Sequence, residues 1–280
     1  MTIVVKIGGA RAVDPAGALA DVADLVGDGH DVVVVHGGST ALDETLDRLG
    51  MEPEYVETPS GVVGRFTDAE TMAVFEMVFG QLNTDLVVGL QAAGADAVGL
   101  NGTDGRLLTG RRKSAVRVLE DGKKKIRRGD HSGTIDSVNA DLLGGLLDGG
   151  YTPVVGPPML ADDGTAVNTD ADRAAAAVAA ALDATLVLLT DVPGVLADPD
   201  DPDTLIEAVE TPADRETLEA AAEGFMRRKV MAATEALAGG ATEVVVADAN
   251  VEAPVSAALD GGGTHVLPTV VAAEEVDDAA

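Results

Sequence analysis

Two lysines stand apart in a chain that has only six. Lys6 closes the apolar run Met1-Thr-Ile-Val-Val-Lys6-Ile7, immediately before Gly8-Gly9. Lys229 lies far away in Gly224-Phe-Met-Arg-Arg-Lys229-Val230. An ammonium group at the end of a buried strand is costly unless an anion neutralises it. The adjoining glycine pair lets the backbone come close to a ligand, with N–H groups free to face phosphate oxygens. The same grammar recurs where Asp31-Val-Val-Val-Val-His36 runs into Gly37-Gly38. Each pair also fits an ordinary strand ending in a turn, but together they suit binding of a phosphorylated ligand. Neither is a G-x-G-x-x-G fingerprint nor a G-x-x-x-x-G-K-[ST] loop, which argues against those two nucleotide-binding classes.

Other polar residues are placed to take part. Arg65, in Pro59-Ser-Gly-Val-Val-Gly-Arg65, is either a bidentate carboxylate clamp or a surface ion-pair partner. Asn168, Asp170 and Asp172 crowd the start of an Ala-rich helix, where one cap accounts for one of them. A remaining aspartate there could orient lysines or hold a metal-bound nucleotide, and the asparagine could bind a substrate's polar end. Thr190-Asp191-Val192-Pro193-Gly194 forms a turn after the buried run Ala184–Leu189.

The elements that must position these residues follow from periodicity. Two β-branched strands with a helix from Ala16 to Val26 between them make a βαβ unit of an α/β fold. Both glycine turns then lie at the carboxyl edge of a parallel sheet, where open α/β sheets bind ligands. The spacing predicts further helices over 40–49, 67–82 or as far as 93, 142–150, one opening within 167–173 and running to about 182, and 224–237, with strands at 151–160, 184–190, 242–247 and 264–267. Met72, Val74, Phe75, Met77, Val78 and Phe79 form an apolar stripe suited to a subunit interface or to the core. The composition shift places a boundary near Ala181.

The segment Arg106–Arg128 breaks the composition around it. It holds ten of the nineteen basic residues in 23 positions, against two acids, in a chain of net charge −29. Alternation about Gly122 predicts a β-hairpin arm. A basic patch on an acidic body implies an acidic partner or a polyphosphate. With no interleaved aromatics to stack bases, and with the overall charge opposed, nucleic acid is not the expected partner.

The bulk numbers agree with a large α/β protein. The chain has 280 residues and 46% hydrophobic content, excluding a disordered chain, and its packing must come from Val, Leu and Ala because aromatics are 2%. It lacks cysteine, so disulfides and thiolate metal sites are out. No basic n-region precedes the first strand, and no apolar run reaches the roughly 18 residues of a span. A cytoplasmic location is expected. The spread of Asp and Glu suits a high-salt cytoplasm, where screening reduces self-repulsion.

Taken in order, Lys6-Ile-Gly-Gly9, His36-Gly-Gly38, Arg65, Asn168-Thr-Asp-Ala-Asp172, Thr190-Asp-Val-Pro-Gly-Val195 and Met226-Arg-Arg-Lys229 resemble the amino acid kinase family over nearly the whole chain. Within it they are similar to acetylglutamate kinases and their sister kinases acting on carrier-linked substrates. The resemblance implies a three-layer α/β/α sandwich, with an acyl-substrate lobe (1–181, including the arm 106–128) and an ATP lobe (182–280). It implies transfer of the ATP γ-phosphoryl group, with Mg²⁺ on the phosphates, to a side-chain carboxylate. Lys6 and Lys229 would stabilise the phosphoryl group and Asp172 would hold both. Gly37, Gly38, Arg65 and Asn168 would bind substrate; Gly8, Gly9, Thr190, Asp191, Val192 and Gly194 would line the nucleotide site.

Glu120-Asp-Gly-Lys-Lys-Lys-Ile-Arg-Arg128 further resembles the arm of kinases whose 2-aminoadipate or glutamate is tethered to a small acidic carrier of the LysW type. Arg111, Arg112, Lys113, Lys123, Lys124, Lys125, Arg127 and Arg128 would then dock the carrier, and a homodimer is expected. A stand-alone N-acetylglutamate kinase and a catalytically silent sensor on the same fold are the alternatives. The chain departs from the family pattern at Ser39, where relatives often carry a third glycine, and at Phe225, where many carry glycine.

Overall fold

The computed structural model describes residues 1–8, 15–58, 63–120 and 123–271. The expectations for Gly9, for the arm's turn at Gly122 and for an acidic tail over 274–280 lie outside them. The first unit is β1 (Thr2–Ile7), α1 (Pro15–Gly27), β2 (Asp31–His36) and α2 (Ser39–Arg48). A short hairpin, β3 (Tyr55–Glu57) and β4 (Val63–Arg65), leads into α3 (Ala69–Ala93) and β5 (Ala97–Gly102). The arm is β6 (Leu108–Glu120) and β7 (Lys123–Val138), followed by α4 (Ala140–Asp148), β8 (Thr152–Ala161) and β9 (Ala166–Val167). The chain then runs through α5 (Ala171–Ala181), β10 (Thr185–Thr190), β11 (Ala208–Val209), α6 (Pro212–Ala221) and α7 (Gly224–Gly239). It finishes with β12 (Glu243–Asp248), α8 (Pro254–Leu259) and β13 (Thr264–Val266).

Eleven strands form one sheet in the order β11-β13-β12-β10-β1-β2-β8-β6-β7, with β5 and β9 also paired to β8. The central strands are parallel, and β1 is hydrogen-bonded on both sides, to β10 and β2. The antiparallel pairs are β12–β13, β6–β7 and β8–β9. The Val- and Leu-rich runs of β1, β2 and β10 are buried throughout, save the first residue of β1 and of β2, as strands covered on both faces require.

Strand alternation sends Val4 into a core cluster with α5 and α7, through Ala174, Val178, Val230 and Leu237. Ile3, Val5 and Ile7 enter the opposite cluster with α1 and α8, through Ala18, Val22, Val255 and Ala258. These are the two outer layers of a sandwich about the sheet. A third cluster joins Leu42 and Leu46 of α2 to Met72, Phe75, Val78 and Phe79 of α3. By length and composition α3 could cross a membrane, but its stripe, apart from the exposed Met77, packs within the fold, where it also holds the polar Asn83. Asp68 caps α3 by accepting the Thr71 N–H at 2.8 Å.

The arm is an antiparallel hairpin, as the alternation predicts, and its second strand continues past Arg128 to Val138. Its base joins the main sheet through Thr109 and Gly110 opposite Leu160 and Ala161.

Candidate active site

The parallel register carries β1, β2 and β10 to a common edge. Lys6 lies beside Val35 and Leu188, Ile7 beside His36, and Thr190 ends β10. Gly8, the His36-Gly37-Gly38 turn and Asp191 therefore share the carboxyl edge of the sheet. Lys6 has the same parity as Val4, so its side chain leaves the sheet toward α5 and α7. There its Nζ meets Asp172 Oδ1 at 2.7 Å. Lys229, from α7, reaches the same carboxylate, 3.3 Å from Oδ2 and 3.4 Å from Oδ1. Two lysines separated by more than 200 residues converge on one aspartate.

Local structure explains why Asp172 is available. Asp170 caps α5, its side chain accepting from the N–H groups of Asp172 and Arg173 at 3.0 and 3.1 Å. That leaves the Asp172 carboxylate to turn inward. Lys6, Asp172 and Lys229 are 6%, 8% and 9% exposed. Burial by itself raises the Asp172 pKa, but Lys6 and then Lys229 outweigh it and hold the carboxyl down to about 2. Burial, and next the neighbouring Lys6 charge, lowers the Lys229 pKa from the ordinary lysine value, although Asp172 opposes this. With the carboxylate ionised and both lysines charged, the trio carries one surplus positive charge in a buried place. An anion at the sheet edge offsets it.

The remaining predicted residues fall into three situations. Asn168 is fixed just ahead of α5: its Nδ2 donates to Thr67 Oγ1 at 3.1 Å and its N–H to the His131 carbonyl at 2.8 Å. The Thr67 N–H in turn donates to fully buried Asp130 at 3.3 Å. Arg65 is already engaged with Asp43 and donates to Tyr55 Oη at 2.7 Å and the Ser39 carbonyl at 3.3 Å. Its guanidinium lies 4.8 Å from the Tyr55 ring centroid. Asp191 is exposed and Val192 half-buried at the end of β10, whereas Gly194 is buried. A β-carbon on Gly194 would come within 2.7 Å of Leu205 and Thr264, so packing alone requires glycine there.

In the arm, Arg111 forms two 2.9 Å bonds to Asp136 across the hairpin. Arg112 pairs with Asp163 at 3.2 Å and meets His131 Nε2 at 3.0 Å. Arg127 pairs with Glu54 and lies 4.3 Å from the Phe66 ring centroid. Lys113, Lys123, Lys124, Lys125 and Arg128 are exposed.

Sequence reasoning did not single out Asp43, Tyr55, Asp130 or Asn83, which fix the predicted groups, and it offered Thr67 only as a helix cap alongside Asp68, not as the partner of Asn168. Only Asn83 carried a signal, as a lone amide on an apolar helical face. Arg228 also enters the site, its Nη1 3.5 Å from Asp170 Oδ2.

The amino acid kinase family model matches residues 1–248. The chain belongs to the amino acid kinase family. A [LysW]-aminoadipate kinase of Thermus thermophilus is 47% identical over 268 residues, covering 94% of this chain and 99% of the relative. An acetylglutamate kinase of Methanopyrus kandleri is 42% identical over 267 residues, covering 94% of this chain and 99% of the relative. Among solved structures, N-acetylglutamate synthase from Neisseria gonorrhoeae superposes with a TM-score of 0.77 at 25% identity; the match covers 95% of this chain and 59% of that longer one. Giardia carbamate kinase superposes with a TM-score of 0.66 at 15% identity, covering 95% and 98%, which supports the shared fold alone.

Proposed function

We propose that this kinase transfers the γ-phosphoryl group of ATP to the side-chain carboxylate of 2-aminoadipate, or of glutamate, tethered to a small acidic carrier of the LysW type. The observation that carries the chemistry is the buried Lys6–Asp172–Lys229 trio with its surplus positive charge. Nucleophile and phosphate are both anions, so positioning and charge stabilisation do most of the catalytic work. The acceptor carboxylate oxygen forms the new P–O bond while the bond to the β-phosphate oxygen breaks, leaving ADP and an acyl phosphate. Lys6 and Lys229 lower the repulsion of approach and offset charge on the oxygens in flight. Asp172 keeps the two ammonium groups from repelling each other apart.

In this scheme residues 1–181 bind the acceptor and 182–280 bind ATP. The backbone N–H groups of Gly8 and Gly38 face the phosphates and the acceptor, whereas the Gly37 N–H, expected to join them, is taken up by the Ile7 carbonyl at 3.2 Å; Asn168 grips the acceptor's amino-acid end, and Thr190, Asp191 and Val192 line the nucleotide. Arg65, tied to Asp43, shapes the pocket wall or changes partner when substrate enters. Mg²⁺ would be held by the nucleotide phosphates, where it would supply further charge neutralisation.

The carrier reading rests on the arm and on the relatives named for LysW. Arg117 pairs with Ile126, Leu119 with Lys124 and Ala115 with Arg128, so these six share one face of the hairpin. Ile126 is 67% exposed and Leu119 37%, while Val118 on the other face is buried. That outward face, each cross-strand pair joining one apolar and one basic residue, suits an acidic carrier better than Arg111, Arg112 and Arg127, which have internal partners. A homodimer paired through α3, where Met77 and Val88 are exposed, and a salt-rich cytoplasm complete the reading.

ATP-dependent turnover, measured on carrier-tethered aminoadipate and on free N-acetylglutamate, tests the assignment. The tethered compound should be converted efficiently and the free one poorly. Robust conversion of the free compound alone would favour acetylglutamate kinase, the second reading suggested by the Methanopyrus relative.

A further inference from the structure

His36 ends β2 with 1% exposure, and Asn83 of α3 approaches it from the outer layer with 7%. Asn83 Nδ2 donates to the Val154 carbonyl at 2.9 Å and lies 3.2 Å from His36 Nε2. Turning the amide over would set its oxygen against the Val154 carbonyl, two acceptors face to face. The amide nitrogen therefore points inward, also 3.4 Å from the Leu100 carbonyl, and because a proton on His36 Nε2 would face only this donor while bare Nδ1 faced the Gly37 carbonyl, Nε2 is the acceptor. The imidazole proton is then on Nδ1, which lies 3.1 Å from the Gly37 carbonyl oxygen and donates to it.

The consequence lies in the next peptide unit. A trans peptide holds its C=O and N–H on opposite sides of one plane. Anchoring the Gly37 carbonyl to the buried ring turns the Gly38 N–H away from that ring, toward the open edge of the sheet. Among the described residues no protein acceptor takes that N–H. Gly38 is also the N-cap of α2, at the positive end of a ten-residue helix. Phe79 stacks at 5.8 Å on the imidazole, and a β-carbon on Gly156 would collide with the ring. The ring has one place to sit.

We propose that His36, set in its Nδ1–H form by Asn83, is a positioning residue that aims the Gly38 N–H at an oxygen of the reacting carboxylate–phosphoryl pair. The inference rests on the kinase reading and specifies which group organises the second glycine turn. Burial, followed by the nearby Lys6 charge, brings the His36 pKa down to about 4 despite the bond to Gly37. The ring stays neutral where the enzyme works, as one donor and one acceptor must. Lys6, whose side chain leaves the opposite face of the sheet, acts on it through its charge, and Asp85 of α3 lines the same cavity.

Three variants of the full chain test this with ATP and the tethered acceptor. His36→Leu removes the Nδ1 donor and should lower kcat about 10- to 100-fold, with smaller changes in either KM. His36→Asn restores a donor close to the Nδ1 position and should recover most of that loss. Asn83→Asp replaces the donor facing Nε2 by an acceptor. Neutral His36 then moves its proton to Nε2, and only the doubly protonated ring still holds Gly37. Its kcat should fall with rising pH across the neutral range, where the wild type is flat. A pH-independent loss in Asn83→Asp, no recovery in His36→Asn, or wild-type kcat in His36→Leu would each overturn the positioning role while leaving the kinase reading standing. A wild-type protein inert toward the tethered acceptor would defeat that reading itself.

Discussion

Lys229 shares one carboxylate with another ammonium, and that arrangement governs its proton. Burial and Lys6 lower its pKa below the ordinary lysine value, and Asp172 only partly restores it. In the proposed reaction the charged form stabilises the phosphoryl group, so activity should be full below the folded-state pKa and be lost as pH rises through it. The kcat–pH profile should bend downward on the alkaline side, earlier than a solvated lysine would allow, and Lys229→Arg should move that bend upward because guanidinium keeps its proton. Steady-state kinetics through the alkaline range checks this. Lys6 was visible in the sequence as a charge ending a buried strand, Asp172 as one polar residue more than a helix cap needs, and Lys229 as an isolated lysine on a helix. Their partners in fixing the site were not. The pairings of Thr67 with Asp130 and with Asn168 span 63 and 101 residues, so they are set by the fold and leave no spacing behind.

At the level of elements, the arm divides into two faces that sequence composition averages together. Its ten basic residues are chemically alike, yet Arg111, Arg112 and Arg127 are occupied by Asp136, Asp163 and Glu54. Hairpin register, which puts Arg117, Ile126, Leu119 and Lys124 on a single face, decides what a partner can touch. Ile126→Glu combined with Lys124→Glu should raise the KM for the tethered acceptor by about tenfold or more, because it strips apolar area from that face and sets like charges against each other. The KM for ATP should stay unchanged. Titration of acceptor against both proteins separates these outcomes, and an unchanged acceptor KM would count against docking on that face. Among the strands, β5 escaped sequence reasoning. Its Gly99 and Gly102 look like turn residues, whereas Gly99 is required because a β-carbon would strike the Asn83 side chain. Close packing and turn formation draw on the same residue type.

Across the whole molecule, a net charge of −29 surrounds a site that must attract two anions. At low ionic strength the acidic surface repels itself and its substrates; in molar salt the screening length shrinks to about 3 Å. Tm should therefore rise by on the order of 10 °C between about 0.1 M and 2 M KCl, as followed by circular dichroism. Full stability in dilute buffer would remove the high-salt reading without touching the site. The sandwich was legible because Val- and Leu-rich strands and Ala-rich helices alternate strongly. The packing of α5 on α7 brings Asp172 and Lys229 together, but nothing in either segment alone reveals it.

The central claim is that Lys6 and Lys229 act together on one phosphoryl group bound for a carrier-tethered carboxylate. Hydroxylamine capture of the acyl phosphate, at saturating ATP, measures that transfer directly in wild-type, Lys6→Ala and Lys229→Ala proteins. Each variant should form the hydroxamate about 10²- to 10³-fold more slowly while nucleotide affinity changes little. Wild-type rates of capture in either variant would contradict the account.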